Sequence, residues 1–591
     1  MTASPEHADR PSRYRRALTG AVVGLLAAAA AIGAGQFASG LGVPQSSPVL
    51  AVGQAAIDLT PLPVKDFAIS AFGADDKTVL LGGILVILAG YAAVLGMLAV
   101  RRLSFGMAGL AVFAGIGLAA ALTRPAAGPG YVVPTLVGAA AGAAALAWLA
   151  RAAAGLELAP AALRPRDDVG TPGAVVLAPA DLPRPPDLPA PPDPPAPADP
   201  PAPAEAEVGR PMVRAGPAYS VTRAADPGGP GAARWPARRG FLISSGVTAA
   251  AAAAGTLAGR NLANEHDIAQ ARAAIRLPRP VVAAPRLAAG TSLDIPGITP
   301  FITSDASFYR VDTALLAPQF APANWQLRIH GMVQREVIIS YADLLRRPLI
   351  EAYVTLTCVS DPVDGPYVGN AKWLGAKLAD LIRQARPLAG ANQLLSTSVD
   401  GYTCGTPLQV VLDGRNALLA VAMNDEALPV VHGFPVRMVV PGLYGYVSAT
   451  KWVTDIEVTT FASAYSYWAQ RGWSQQGPIK TESRIDVPAA GASLAAGRIA
   501  VAGVAWAQHK GIAAVEVRVN GGPWHEARLA SVPGIDTWRQ WVWEWSAAPG
   551  NYLLEARATD ATGYTQTAVQ AQPPPNGASG YPSAEVSVVT R

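Results

Sequence analysis

Cysteine is nearly missing from this chain, with two in 591 residues, Cys358 and Cys404. Without a Cys-x-x-Cys pair, thiolate-held iron–sulfur clusters and dithiol redox sites are unsupported. Histidine is scarce too. The six are His7, His266, His330, His432, His509 and His525, and none falls inside a long apolar run. The apolar part therefore offers no bis-histidine haem site. Charged residues make up only 15%, and a net charge of +4 is too modest for a nucleic-acid partner. The arginines gather beside apolar runs instead.

Those runs fill the N-terminal third. After a polar start ending in Arg13, Arg15 and Arg16, apolar stretches cover Ala17–Ala38, Thr78–Val100, Gly106–Leu122 and Tyr131–Ala150. Each is long enough to cross a bilayer, which predicts a four-span transmembrane region over 1–155. Their Ala and Gly content allows close helix packing. Arg13–Arg16, Arg101-Arg102 and Arg151 share one side if the spans alternate, and that side should be cytoplasmic. The spans carry no ionisable residues, which weighs against a transporter. Residues 156–236 are rich in Pro and Ala and read as an extended cytoplasmic linker. Ala237-Arg238-Arg239-Gly-Phe-Leu, followed by an Ala-rich run, makes 237–260 a fifth span that resembles a twin-arginine export signal. The alternative is an ordinary span with a positive-inside flank. An odd number of spans predicts a multi-pass cell-membrane protein whose C-terminal part is extracytoplasmic, reached through a polar tether at 261–300.

Residues 301–475 mix short patterns, giving an α+β expectation. Strands are expected at Val354–Thr357, Val436–Val440 and Thr454–Thr459, and helices at Ser340–Arg347, Leu374–Ala385 and Asn416–Ala422. Asn424-Asp425 reads as a turn. Beyond a hinge near Trp473–Glu482, residues 482–591 read as all-β. Strands there are expected at Arg498–Trp506, Ala514–Val519, Trp538–Trp545 and Tyr552–Thr559. Trp541, Trp543 and Trp545 alternate and so share one face, as sandwich core rather than a recognition patch.

Two stretches carry chemistry. Cys358 ends a β-prone run and enters Val359-Ser-Asp-Pro-Val-Asp364-Gly-Pro, so its thiol stands at the end of a rigid element. A thiolate so placed is a soft ligand for a redox metal. The competing uses are a small buried hydrophobe or a disulfide with Cys404. The second stretch runs from His432 to Trp452. There a β-prone run, a Pro-Gly break and a Gly-containing loop bring Arg437 and Lys451 into reach of a phosphate, while His432 can donate to a polar ring system.

Together with Phe308-Tyr-Arg-Val-Asp-Thr313, Trp325-Gln-Leu-Arg-Ile-His-Gly331 and Leu418-Leu-Ala-Val-Ala-Met-Asn424, these stretches resemble the sulfite-oxidase family of molybdopterin enzymes. That family includes the periplasmic protein-methionine-sulfoxide reductase catalytic subunits. The resemblance implies a multi-domain chain. An α-helical membrane bundle would precede an α+β molybdopterin domain over 301–475 and an all-β immunoglobulin-like dimerisation sandwich over 482–591. It implies a molybdenum cofactor with Cys358 as the protein thiolate on the metal. His432, Arg437, Ser448, Thr450 and Lys451 would hold the pterin and its phosphate, Tyr309 and Arg310 would face them, and Asp400 and Tyr402 would act near the metal. The implied reaction is oxygen-atom transfer, on sulfite or on a small or protein-bound S-oxide or N-oxide. A separate haem- or quinone-linked partner would carry electrons.

The chain departs from the family after the cysteine. Sulfite oxidases have Gly-Asn-Arg-Arg there, whereas this loop carries Asp361 and Asp364. Carboxylates beside an anionic substrate are unfavourable unless cations such as Arg310 or Arg415 offset them. This weighs against sulfite and leaves a neutral S-oxide or N-oxide open, with loop turning by the two aspartates an equal alternative. A reading of another class is a cofactor-free binding module on the same fold. The presence of Cys358 together with His432, Arg437 and Lys451 stands against it.

Overall fold

Small side chains let the N-terminal helices meet backbone to backbone. The structure, a computed structural model, describes residues 10–41, 46–61, 64, 76–123, 129–157, 234–265 and 268–590. The Pro-rich stretch expected as a linker lies outside them from 158 to 233. The first helices are α1 (Arg10–Leu41), α2 (Pro48–Leu59), α3 (Asp76–Arg101), α4 (Leu103–Leu122), α5 (Val133–Glu157) and α6 (Arg234–Glu265). α1 packs along α3, α5 and α6. A Cβ on Gly24 would run into the Ala92 carbonyl, and one on Gly33 would lie 2.5 Å from the Ala252 oxygen. Among the described residues, five stretches are long and apolar enough to cross a membrane: Tyr14–Leu41, Val79–Arg101, Leu103–Leu122, Gly130–Ala154 and Arg239–Gly259.

The middle of the chain runs α7 (Ile268–Ala273), β1 (Gln326–Gly331), β2 (Val337–Ser340), α8 (Tyr341–Leu345), β3 (Leu349–Thr357), β4 (Val368–Lys377), α9 (Leu378–Ala385), β5 (Gln393–Ser398) and β6 (Thr403–Pro407). It continues with α10 (Leu408–Leu412), β7 (Leu418–Met423), β8 (Glu426–Ala427), β9 (Arg437–Val439), α11 (Gly445–Ser448) and β10 (Val453–Thr459). The strands form two sheets, one ordered β2-β1-β10-β5-β6 and the other β3-β4-β7-β8 with β9 also on β7. α8 starts where Ser340 Oγ accepts from Asp343 N while Asp343 accepts from Ser340 N, a capping box.

One helical expectation fails here and another begins too early. The helix expected over Leu374–Ala385 forms as α9 from Leu378, with Leu374–Lys377 in strand β4, and the expected Asn416–Ala422 helix is strand β7, buried along its whole length. A short apolar run buried on both faces of a sheet has no period by which to tell the two apart, and six residues are few for a helix. Asn424 and Asp425, with φ of +49° and +73°, close the tight β7–β8 hairpin.

The C-terminal part is β11 (Glu482–Val487), β12 (Ser493–Ala495), β13 (Gly497–Trp506), β14 (Ile512–Val519), β15 (His525–Glu526), β16 (Arg528–Leu529), β17 (Arg539–Ala547), β18 (Gly550–Asp560) and β19 (Ser583–Val589). It forms two sheets, β11-β13-β17-β16 and β12-β19-β18-β14-β15. Val501, Trp541 and Trp545 from the first sheet and Val515, Leu554, Ala556 and Val586 from the second enclose a common core.

The two connecting segments are built into the fold rather than free. Residues 268–300 are not a polar tether. Arg272 donates to the Ala427 and Leu428 carbonyls, Val281 and Val282 exchange backbone bonds with Leu349 and Glu351, and Leu293 is buried against Ala502, Ala530 and Val542. The expected hinge is fastened likewise, because Gly477 and Ile479 bond to Tyr444 and Gly442. Apolar side chains at 275, 277, 293 and 295 give these stretches something to bury.

Candidate active site

β3 delivers Cys358 at its C-terminal end, and the sulfur is almost out of contact with water, the residue being 8% exposed. Ser360 N donates to Sγ at 3.4 Å, and Cys358 N donates to Tyr367 O at 2.9 Å. Burial pushes the thiol up to about 11, against the pull of Ser360. At neutral pH such a thiol keeps its proton unless a metal cation takes that proton's place. Both cysteines are free. Cys404 is fully buried on β6 beside the hydroxyls of Thr450, Thr406 and Ser396.

Two phenols flank the thiol. A Cβ on Gly445 would lie 3.6 Å from Tyr309 Oη and 3.7 Å from Thr357 O, which puts the Tyr309 hydroxyl beside the end of β3. Tyr402, in the β5–β6 turn, donates to Tyr446 O at 3.3 Å and packs on Tyr467. Burial raises both phenols well above the usual range, and the nearby Cys358 adds to each shift. Asp400 accepts from Tyr402 N at 3.3 Å, and burial raises it also, with Asp312 contributing.

The basic residues gather around Asp312. Its Oδ2 accepts from Arg310 at 3.1 Å and from Lys451 at 2.8 Å. Burial lowers Lys451 to about 8, with Asp312 opposing. Arg437 is 4% exposed, and among the described residues it has no carboxylate partner. Its guanidinium meets only carbonyls, His432 O at 3.0 Å and Met438 O and Ala449 O at 3.4 Å, and lies 5.0 Å over Trp373. A buried guanidinium without a counter-anion is costly, so this position fits an anionic group. Gly433, at φ +110°, sits where a Cβ would fall 2.9 Å from Arg437 Cβ and 3.2 Å from Lys451 Cα. Only glycine lets the two basic side chains approach each other here.

Some expected roles meet a different geometry. His432 Nε2 lies 2.9 Å from Asp305 O, and since a carbonyl only accepts, Nε2 carries the proton. Burial lowers His432 to about 4, so the ring is neutral and has no second N–H for a pterin. The Ser448 hydroxyl faces the Leu443 and Tyr444 carbonyls, and Thr450 Oγ1 is 2.7 Å from Ser396 Oγ, turned toward Cys404. Arg415 is held by Asp413 and by Pro441 O. The loop aspartates do structural work. Asp361 Oδ1 accepts from Tyr367 N at 2.8 Å, and Asp364 Oδ1 accepts from Ile485 N at 3.0 Å. Burial raises them to about 7 and about 6. Behind them, burial raises Glu482 to about 8, with Asp361 adding to the shift. Asp312, Gly433, Glu482 and Arg484 escaped sequence reasoning. Asp312 and Gly433 lay inside stretches that marked them, whereas Glu482 and Arg484 did not.

One buried thiol, two phenols and a buried basic cluster are thus carried by β3, β9, the β5–β6 turn and the loops before β1 and β10. The set suits a soft redox metal carried by a phosphate-bearing organic group. A family model for the oxidoreductase molybdopterin binding domain matches residues 314–468. Sulfite oxidase of Gallus gallus is 28% identical over 290 residues, covering 41% of this chain and 62% of that protein. The mitochondrial sulfite oxidase of Mus musculus is also 28% identical, with 52% of its length covered. The chain thus spans little more than half of these relatives. The uncharacterized oxidoreductase YuiH of Bacillus subtilis is 30% identical over 153 residues, covering 26% of this chain and 74% of that protein. Among solved structures, the sulfane dehydrogenase SoxCD of Paracoccus pantotrophus is 21% identical, covers 49% of this chain and 82% of its own, and has a TM-score of 0.44.

Proposed function

Since this chain belongs to the family of oxidoreductases with a molybdopterin-binding domain, to which the sulfite oxidases are related, we propose that it is a membrane-anchored oxygen-atom-transfer enzyme. The observation that carries the reading is the buried Cys358 thiol, with the Tyr309 and Tyr402 phenols near it and, on the neighbouring basic loop, the buried Arg437, which among the described residues meets carbonyls and a ring but no carboxylate. When bound, a molybdenum cofactor would supply two-electron oxygen-atom-transfer chemistry. Cys358 is the protein ligand of the metal. Arg437 and Lys451 hold the phosphate, with Arg310 at the rim. Tyr309 and Tyr402 wall the metal and keep water from the thiolate, and Asp400 orients Tyr402. Ser448 and Thr450 shape the loop that carries Lys451, and His432 braces it through Asp305.

The substrate is sulfite or a small or protein-bound S-oxide or N-oxide. Asp361 and Asp364 hold the loop backbone and face Arg484, so they leave room for an anion as well as for a neutral oxide. The five apolar helices serve as the anchor and place the C-terminal half outside the cell membrane, with Arg238-Arg239 as a twin-arginine-type export signal. The two-sheet unit is an immunoglobulin-like sandwich through which two chains pair. Electrons pass to or from a separate carrier, haem- or quinone-linked.

The test is expression of the full chain in a host that makes molybdopterin, with Cys358→Ser as control. About one molybdenum and one pterin per chain are expected, with the visible spectrum altered in the control. Oxygen-atom transfer should then be seen with sulfite or with a methyl sulfoxide, and the one that turns over identifies the substrate class. Folded wild-type chain that carries neither metal nor pterin would return the protein to the binding-module reading.

A further inference from the structure

Both flanks of Cys358 are held by the same distant part of the chain. On the β3 side, Gln508 Nε2 donates to Thr355 O at 3.1 Å and to Thr357 Oγ1 at 3.0 Å. Thr355 N donates to Asp536 O at 2.9 Å, and Trp538 N donates to Thr355 Oγ1 at 2.8 Å. On the loop side, Arg484 Nη1 donates to Gly365 O at 2.9 Å and Ile485 N donates to Asp364 Oδ1. The other Arg484 nitrogens are fixed by Asp486 at 2.8 Å and Thr299 Oγ1 at 2.7 Å. Gln508 is 2% exposed, and the Arg484 side chain 12%.

We propose that the C-terminal two-sheet unit is a working part of the cofactor site, with Gln508 and Arg484 as positioning residues that fix the Cys358 sulfur from its two sides. This rests on the reading of Cys358 as the metal's ligand. Between the two attachments the hydrogen bonds of the described residues stay within 358–367: Cys358 N to Tyr367 O, Ser360 N to Cys358 Sγ, Asp361 N to Cys358 O, Gly365 N to Pro362 O and Tyr367 N to Asp361 Oδ1. Such a short loop takes its shape from its end points. A ligating atom must be held to within about half an ångström, and it is held by groups whose own orientation is locked. Arg484 meets this condition because one rigid fork reaches three acceptors on three segments, which a lysine cannot do. Gln508 meets it by bridging two acceptors on one strand.

The test has two arms on the full chain. In the first, chain prepared without cofactor is treated with iodoacetamide, and each cysteine is followed by mass spectrometry. Arg484→Gln and Gln508→Leu should each speed alkylation of Cys358 by about tenfold, since losing a buried hydrogen bond frees local opening. Cys404 should stay unreactive, and Arg498→Ala, which removes an exposed ion pair with Glu544 in the same unit, should change nothing. In the second arm, cofactor-loaded Arg484→Gln and Gln508→Leu should shift the thiolate-to-metal absorption, with Arg484→Lys only partly restoring it. A parallel rise at Cys358 and Cys404 would mean simple destabilisation and overturn the proposal, as would wild-type alkylation rates in both variants. If wild-type chain takes up no metal, the enzyme reading fails, while the alkylation arm still decides the attachment.

Discussion

Gly433 holds a backbone conformation that a side chain takes on at a cost of about 1–2 kcal/mol, and it stands between two basic side chains. Gly433→Ala should lower molybdenum and pterin content well below the wild-type level while reducing the melting temperature by only a few degrees. Metal analysis beside a thermal melt reads both, and undiminished cofactor content would remove Gly433 from the cradle. Glu482 offers a pH test. Burial raises its carboxyl from about 4.5 in the unfolded chain to about 8 in the folded one. The folded state thus favours the protonated form. Its contribution is full below about pH 4.5 and is lost as pH rises through about 8. Glu482→Gln should therefore match wild type in denaturant unfolding near pH 4.5 and exceed it by at least about 1 kcal/mol near pH 8.5. An equal difference at both pH values would show that Glu482 titrates as an ordinary carboxyl.

Strand β17 grades its tryptophans by burial within one core. Trp541 is fully buried between the two C-terminal sheets, while Trp543 is half-buried and stacked on His525 at 5.0 Å. Trp541→Ala should cost about 3–5 kcal/mol and Trp543→Ala less than half of that, measured by chemical denaturation. Equal losses would contradict this placement of the core. The β17 strand was legible because its tryptophans alternate. Strand β7 was not, because Leu418-Leu-Ala-Val-Ala-Met423 is apolar at every position and only its neighbours β4, β8 and β9 decide its conformation. The thiol loop and the basic loop were legible for a related reason. Cys358 and the Arg437–Lys451 pair each sit within one local run of chain, whose Gly and Pro positions mark turns. Arg484 and Gln508 lie 126 and 150 positions beyond Cys358, and nothing local distinguishes them from ordinary strand and loop residues.

Long apolar runs made the five helices readable, since hydropathy needs no partner to be recognised. How the remaining segments close on one another was hidden. Residues 281–282 cover the first half of the outer edge of β3, and residues 508, 536 and 538 cover its second half. An open strand edge is a site for unwanted pairing, and here it is capped by pieces of chain on either side in sequence. The ribosome makes these caps far apart in time. When Cys358 emerges, the residues that seal its strand are still more than a hundred codons from being translated. The catalytic portion therefore cannot reach its final form until residues 508–538 have left the ribosome, later than a domain whose strands are sealed by near neighbours. Nascent chains stalled with residue 480 just outside the ribosome should be cut readily by protease around β3. Chains stalled after residue 560 should resist, and protection already complete at the earlier point would show that the edge needs no late cap.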